Sequence, residues 1–268
     1  MKKTYLRYPG GKSNAIKNIE PHLPTDFLEY RETMIGGGSM FLYMKNKYPD
    51  RKSWINDIYT NLYLFWTMCR DRNSELIDAL LLLKKETTKE TAKEKFVEIK
   101  TTISIQDEFT RATYFYYLNK CSFSGLTESG TCSPLAWVQN FSVSSIESLA
   151  DLKSILDGVK ITNLDYKELL VADGNNVFIY LDPPYDIGKA NMLYGRNGET
   201  HRSFDHVRFA DDVADCKHKI MISYNDSQVL RNRYKDFTKT HTLDFRYTMR
   251  LMEKNAPKKT ELLVCNYG

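Results

Sequence analysis

Nothing in this sequence is long enough to cross a bilayer as a helix. Apolar blocks such as Ala79–Leu83 fall far short of the roughly 18 to 20 residues a span requires, so no membrane partner is expected. No apolar stretch follows Met1-Lys2-Lys3-Thr4-Tyr5, so no signal peptide is expected either. Cysteine is scarce. The five residues, Cys69, Cys121, Cys132, Cys216 and Cys265, are odd in number and contain no C-x-x-C pair. That spacing argues against a zinc site and against a disulfide framework, and it suits a reducing, cytoplasmic setting. No metal-ligand cluster stands out, so no metal is expected. Net charge is also small: +4, with a pI near 8.6, permits a polyanionic partner without requiring one.

What is present is enough for a sizeable core, since 42% of the 268 residues are apolar. Short apolar runs that read as strands recur at Glu29–Ile35, Ser53–Asn56, Val159–Asn163, Val177–Leu181, Lys219–Ser223, Thr240–Arg246 and Glu261–Asn266. Helical patterns lie between several of them, at Ser13–Pro21, Ser39–Lys47, Asn61–Leu83, Ile146–Leu156 and Phe204–Cys216. This alternation predicts an α/β fold with a doubly wound, mostly parallel sheet. The last two runs are joined by Met249–Lys259, which has no helical period, so they predict a closing antiparallel hairpin. Between about residues 61 and 156 the alternation breaks and the pattern turns helical and polar. That region is expected to be an insert on the sheet core. Its charge run around Lys84-Lys85-Glu86 and Lys89–Glu98 reads as a solvated helix face.

The richest motif is Asp182-Pro183-Pro184-Tyr185, directly after the apolar run Val177–Leu181. Two prolines stop a sheet ladder and stiffen the turn. The carboxyl ends of strands are where open α/β sheets hold ligands. One acceptor beside one flat ring suits a planar group bearing an amino function, though a capped Pro-rich turn would show the same residues.

A second feature, Ile35-Gly36-Gly37-Gly38-Ser39, has glycines where a strand should hand over to a helix, which lets a ligand approach the backbone. A tight turn alone would explain them. Asn56-Asp57, about twenty residues on and ending the next strand, supplies an acid of the kind that binds ribose hydroxyls. Neither G-x-G-x-x-G nor a phosphate-loop lysine is present, so a nucleoside without pyrophosphate fits better than a dinucleotide or ATP. Tyr8-Pro9-Gly10-Gly11-Lys12 offers glycines and a cation for a carboxylate, or simply a turn before a helix capped by Ser13. Asp165-Tyr166, after the strand that precedes the Asp182 strand, reads as an adenine contact or as a helix start.

The order of these parts resembles the class-alpha, Dam-type DNA adenine methyltransferases over nearly the whole chain. Tyr8-Pro9-Gly10-Gly11-Lys12 is similar to the family's aromatic-x-Gly-Gly-Lys. Glu32-Thr33-Met34-Ile35-Gly36-Gly37-Gly38-Ser39 is similar to its cofactor loop, and Asn56-Asp57 follows as the ribose acid. Tyr117-Leu118-Asn119-Lys120 with Gly125-Leu126 resembles the start of its target-recognition hairpin. Asp165-Tyr166 and the hallmark Asp182-Pro183-Pro184-Tyr185 come next. Phe204-Asp205-His206 with Phe209-Ala210, and the strand ending Ser223-Tyr224-Asn225, match its later elements. Tyr8 replaces the usual Trp and Thr33 the usual Pro. The stretch Ser129–Asn140 departs from the best-known members, so the recognised DNA sequence does not carry over.

The resemblance implies a Rossmann-like methyltransferase with a catalytic domain over 1–60 and 157–268, and a mainly helical target-recognition insert over 61–156. It implies methyl transfer from S-adenosylmethionine, leaving S-adenosylhomocysteine, to the exocyclic 6-amino group of adenine in double-stranded DNA, with base flipping and no metal. The catalytic residues it implies are Asp182, Pro183, Pro184 and Tyr185. The cofactor residues are Tyr8, Gly11, Lys12, Glu32, Gly36, Gly38, Ser39, Asp57, Asp165, Tyr166 and Asp182, and those facing DNA are Asn119, Lys120 and Phe123. An aromatic of Tyr114–Tyr117 is a further candidate to fill the gap left by a flipped base. Arg196, His201 and Arg202, in the polar stretch Asp186–Ser203, are candidates to grip phosphate from a loop over the site. A monomer or weak dimer on DNA is expected. RNA adenine, a protein amide, or a catalytically silent DNA-binding role remain as alternatives.

Overall fold

The computed structural model describes residues 4–185, 204–245 and 259–268. The Asp186–Ser203 stretch with Arg196, His201 and Arg202, and nearly all of the Met249–Lys259 link, lie outside the described residues.

Seven strands form one sheet in the order β3-β2-β1-β4-β5-β7-β6. They are β1 (Glu29–Glu32), β2 (Lys52–Asn56), β3 (Lys160–Thr162), β4 (Val177–Leu181), β5 (Lys219–Asn225), β6 (Lys239–Phe245) and β7 (Lys259–Cys265). The first five run parallel, and β7 pairs antiparallel with both β5 and β6, as the closing hairpin predicted. The centre is β1 against β4, in the register Glu32↔Tyr180. All five residues of β4 are buried, because helices or loops cover both faces of a central parallel strand.

The strand period of two sorts β4 between two cores. Phe178 and Tyr180 enter the larger hydrophobic cluster, and Val177, Ile179 and Leu181 enter the smaller. The smaller is closed by α10 (Tyr166–Val171), α11 (His206–Ala214) and α12 (Gln228–Arg233), which contribute Leu170, Phe209, Val213 and Leu230. Each starts on a side-chain cap, from Asp165, Asp205 and Ser227 respectively, which satisfies amide groups the first turn would leave open.

The larger cluster joins the other sheet face to a helical block. After α1 (Ile16–Ile19) and α2 (Ser39–Lys47), that block comprises α3 (Thr60–Asp71), α4 (Asn73–Glu86), α5 (Ala92–Thr102), α6 (Glu108–Cys121), α7 (Pro134–Asn140), α8 (Val143–Glu147) and α9 (Ala150–Ile155). The helix expected over Asn61–Leu83 is two, broken at Arg72. There the Asn73 amide donates to the carbonyls of Cys69 and Leu149. The aromatic run on α6 is core: Phe115, Tyr116 and Tyr117 are fully buried, and the Tyr116 ring stacks on Phe65 with centroids 5.6 Å apart. Packing encloses these three rings, which corrects the expectation for Phe115, Tyr116 and Tyr117; Tyr114 is only partly buried. Among the described residues no helix is long and apolar enough to cross a membrane.

Candidate active site

A cleft of about 1180 Å³ opens over the carboxyl ends of β1, β2, β3 and β4. Its position follows from the strand order. β1 and β4 are neighbours, but their connections leave toward opposite sides, which opens a crevice between the two departing loops. The volume exceeds that of a usual single-ligand site and leaves room for two.

On the β1 side, the chain leaves Glu32, turns through Gly36 and Gly38, both at positive φ, and enters α2. Side chains are excluded here on contact grounds as well. A Cβ on Gly36 would stand 2.8 Å from the Tyr8 ring, and one on Gly38 would stand 2.7 Å from Trp66. Tyr8 therefore packs closely against the loop. Asp57, at the end of β2, accepts from the amides of Gly36 and Tyr59, each at 3.0 Å, so the acid and the glycine loop form one unit. Burial pushes Asp57 up to about 6, against the pull of those two amides. Glu32 is pushed further, to about 8, mainly by burial, although the Tyr30 hydroxyl donates to it. Its neighbour Asn56 works differently from Asp57. The Asn56 amide donates to Thr33 and Leu164 carbonyls, and its oxygen accepts from the Leu164 amide, which stitches together the ends of β1, β2 and β3.

On the β4 side, the sheet alternation that points Tyr180 into the larger cluster turns Asp182 the same way. There it meets Lys12, whose ammonium donates to both carboxylate oxygens, at 2.7 and 2.9 Å. Lys12 is 3% exposed and also donates to the Tyr185 hydroxyl at 3.0 Å. Desolvation pushes Asp182 up to about 6, against Lys12, which holds it charged. The Tyr185 hydroxyl in turn donates to Glu261 of β7, and Ser223 of β5 donates to the other oxygen of Glu261 at 3.1 Å.

Every residue named from the sequence for catalysis or cofactor binding lines this one cleft. They run from Tyr8, Gly11, Lys12 and Glu32 through Gly36, Gly38, Ser39 and Asp57 to Asp165, Tyr166 and Asp182–Tyr185. Asp165 also caps α10, and its carboxylate faces Arg208 at 3.3 Å. Ser39 shares a hydrogen bond with Ser13, joining α2 to the turn that carries Lys12.

The three residues expected to face DNA separate. Phe123 is 67% exposed at the cleft's rim. Asn119 is fully buried: its oxygen accepts from the Arg7 amide at 2.9 Å and its amide donates to the Arg7 carbonyl at 2.7 Å. Lys120 is buried, with its ammonium 5.1 Å from the Tyr116 ring centroid. Both are turned inward, so neither is carried forward as a DNA contact. Glu261 and Arg208 are among the cleft residues that escaped the sequence reading. Glu261 did leave a signal, as an acid opening the otherwise apolar stretch Leu262-Leu263-Val264-Cys265 of β7, since buried acids are uncommon without partners.

A family model described as D12 class N6 adenine-specific DNA methyltransferase matches residues 8–249. The chain is similar to a type II methyltransferase, M.MjaIII, of Methanocaldococcus jannaschii, at 26% identity covering 99% of each chain. It is similar to the type II methyltransferase M1.LlaDCHI of Lactococcus lactis subsp. cremoris at 24% identity, over 98% of this chain and 95% of that one. The DNA adenine methylase of Escherichia coli K12 is 25% identical over 97% of this chain and 94% of its own.

Proposed function

The chain belongs to the D12 class N6 adenine-specific DNA methyltransferases, and from that premise we propose how its cleft works. It transfers the methyl group of S-adenosylmethionine to the exocyclic amino nitrogen of one adenine within a short duplex sequence. The observation that carries this reading is the meeting in one cleft of the Gly36–Gly38 and Asp57 unit with the Asp182–Tyr185 turn.

The donor set fits a nucleoside cofactor. Asp57 spends one lone pair of each oxygen on a loop amide and keeps acceptor capacity for ribose hydroxyls. Glu32, Gly36, Gly38, Ser39, Asp165 and Tyr166 complete the walls on that side, with Tyr8 and Gly11 at the loop's edge. When bound, S-adenosylmethionine supplies an electrophilic methyl group.

The residues of the second half act on the base. An adenine inside a duplex is out of reach, so the target turns out of the stack, at a cost of a few kcal/mol. Tyr185 presents a ring for it to stack on, and Phe123 stands exposed at the rim, placed to meet the DNA. The amino lone pair is delocalised into the ring and reacts poorly. Asp182 and the Pro183 carbonyl accept from the two amino hydrogens, which favours a pyramidal nitrogen with a localised pair. Such bonds accelerate the reaction only as far as they strengthen in the transition state. The Asp182 carboxylate is also the nearest acceptor for the proton that the methylated nitrogen sheds. The helical block over 61–156, with Phe123 at its cleft edge, serves as the target-recognition insert.

The test is transfer of labelled methyl from S-adenosylmethionine to unmodified duplex DNA, followed by sequencing that reads modified adenines. Label at one short motif is the expected result. Asp182→Ala should lower the rate by roughly 10²-fold or more, the range of a lost proton acceptor, with cofactor affinity nearly unchanged. An active Asp182→Ala enzyme would remove Asp182 from the chemistry. Cofactor binding without any labelled DNA would overturn the substrate assignment.

A further inference from the structure

Beneath the Asp182 turn, one ammonium stands between two carboxylates. Lys12 Nζ lies 2.7 Å from Asp182 and 3.8 Å from Glu261, and both Lys12 and Glu261 are almost fully buried. An ammonium only donates, so the direction of the chain through Tyr185 is fixed. Lys12 gives to the Tyr185 oxygen, whose hydrogen then goes to Glu261. Ser223 holds the second Glu261 oxygen. It reaches there because Ser223 and Glu261 lie on the same face of the β5–β7 pair, two residue pairs apart in the register Ser223↔Leu263 and Asn225↔Glu261.

This arrangement sets a problem for methyl transfer. Asp182 has two oxygens, and Lys12 engages both. Each oxygen keeps a second lone pair, as at Asp57, but the bridging ammonium fixes the carboxylate's orientation and draws on its charge, so it competes with the target amino group for a strong acceptor turned toward it. Displaced from Asp182, the ammonium would be a buried charge in need of a counter-charge.

We infer that Glu261 is a positioning residue for the transfer: it fixes the Tyr185 hydroxyl and takes the Lys12 ammonium as Asp182 turns to the target base. The inference rests on the methyl-transfer reading above. Lys12 has only about 1 Å to close to bring Glu261 within hydrogen-bond distance, so the exchange needs a side-chain torsion and no backbone movement. Total charge in the pocket is unchanged by the exchange.

The experiment compares Glu261, Glu261→Gln and Glu261→Asp, each with Lys12 and with Lys12→Met, in the full chain. Single-turnover transfer is read on a duplex carrying the sequence found by the labelling assay. Affinity for that duplex, with adenine or unsubstituted purine at the target position and S-adenosylhomocysteine present, gives a readout that needs no turnover. Glu261→Gln loses the charge and one acceptor: its oxygen still takes the Tyr185 hydroxyl, and its NH2 meets Ser223, whose hydroxyl can rotate to accept. It is expected to slow transfer about 30-fold and to shrink the preference for adenine over purine, with cofactor affinity held within about threefold. Glu261→Asp restores the charge and should recover most of that loss. In the Lys12→Met background no ammonium needs a home, so Glu261→Gln should cost less than about threefold in adenine preference. A Glu261→Gln enzyme at wild-type rate, a Glu261→Asp enzyme no better than it, or an undiminished loss beside Lys12→Met would each overturn the inference. If Glu261→Gln does not fold, Glu261→Met, which also lacks the charge, replaces it in the same two backgrounds. A wild-type protein that methylates no DNA would sink the functional reading itself, and that result is seen before any variant is made.

Discussion

At the scale of single residues, three buried carboxyl groups of the cleft, Glu32, Asp57 and Asp182, hold protons more tightly than usual. Glu32 is the extreme case: burial takes it from an ordinary 4.5 up to about 8, and the Tyr30 hydroxyl only partly offsets this. Between those two values the folded chain keeps a proton that the unfolded chain releases. Its stabilising contribution is therefore complete below about pH 4.5 and is lost as pH rises toward 8. Asp57 and Asp182, each raised to about 6, act with the same sign over a lower window. Glu32→Gln carries a permanently neutral group of the same shape. Its melting temperature should therefore fall less between pH 5 and pH 8 than that of the parent, as scanning calorimetry at the two pH values would show. Parallel curves for the two proteins would mean that Glu32 is ionised in the fold.

At the scale of elements, the tie between the amino-terminal segment and α6 does more than its size suggests. Asn119 pairs with both backbone groups of Arg7, and Gly125 packs so close that an added Cβ would stand 2.0 Å from the Arg7 carbonyl. This seats Tyr8 on the glycine loop and brings Lys12 under Asp182. Asn119→Ala leaves the part-buried Arg7 amide without its acceptor and should cost about 1–3 kcal/mol in urea unfolding, with weakened cofactor binding beside it. A loss below a few tenths of a kcal/mol would mean that the segment is held from elsewhere. The same residue shows where reading the sequence stops. Asn119 and Lys120 carry the polarity of a surface, and only the fold reveals that Arg7, 112 positions away, uses that polarity inside. Strand β4 was legible because its five residues are all apolar, and Asp182 and Asp57 because each stands directly after a strand. The break at Arg72 was not, since its cause is a partner at Leu149. Glu261 was hidden for the same reason, its meaning coming from Lys12 and Tyr185.

At the scale of the whole molecule, one sheet gathers two hydrophobic cores, and no covalent cross-link holds them. All five cysteines are free, three of them buried. Added reductant should therefore leave the melting temperature unchanged, and a shift of several degrees would reveal a cross-link formed in solution. The pairing of β1 with β4 has a consequence for the birth of the protein. At roughly 5–20 residues per second, β4 leaves the ribosome about 7 to 30 seconds after β1. Throughout that interval the nascent chain carries β1 with one edge open, the kind of edge that recruits foreign strands. Translation speed across the helical block, and any chaperone that shields that edge meanwhile, will govern how much of this enzyme reaches its native state.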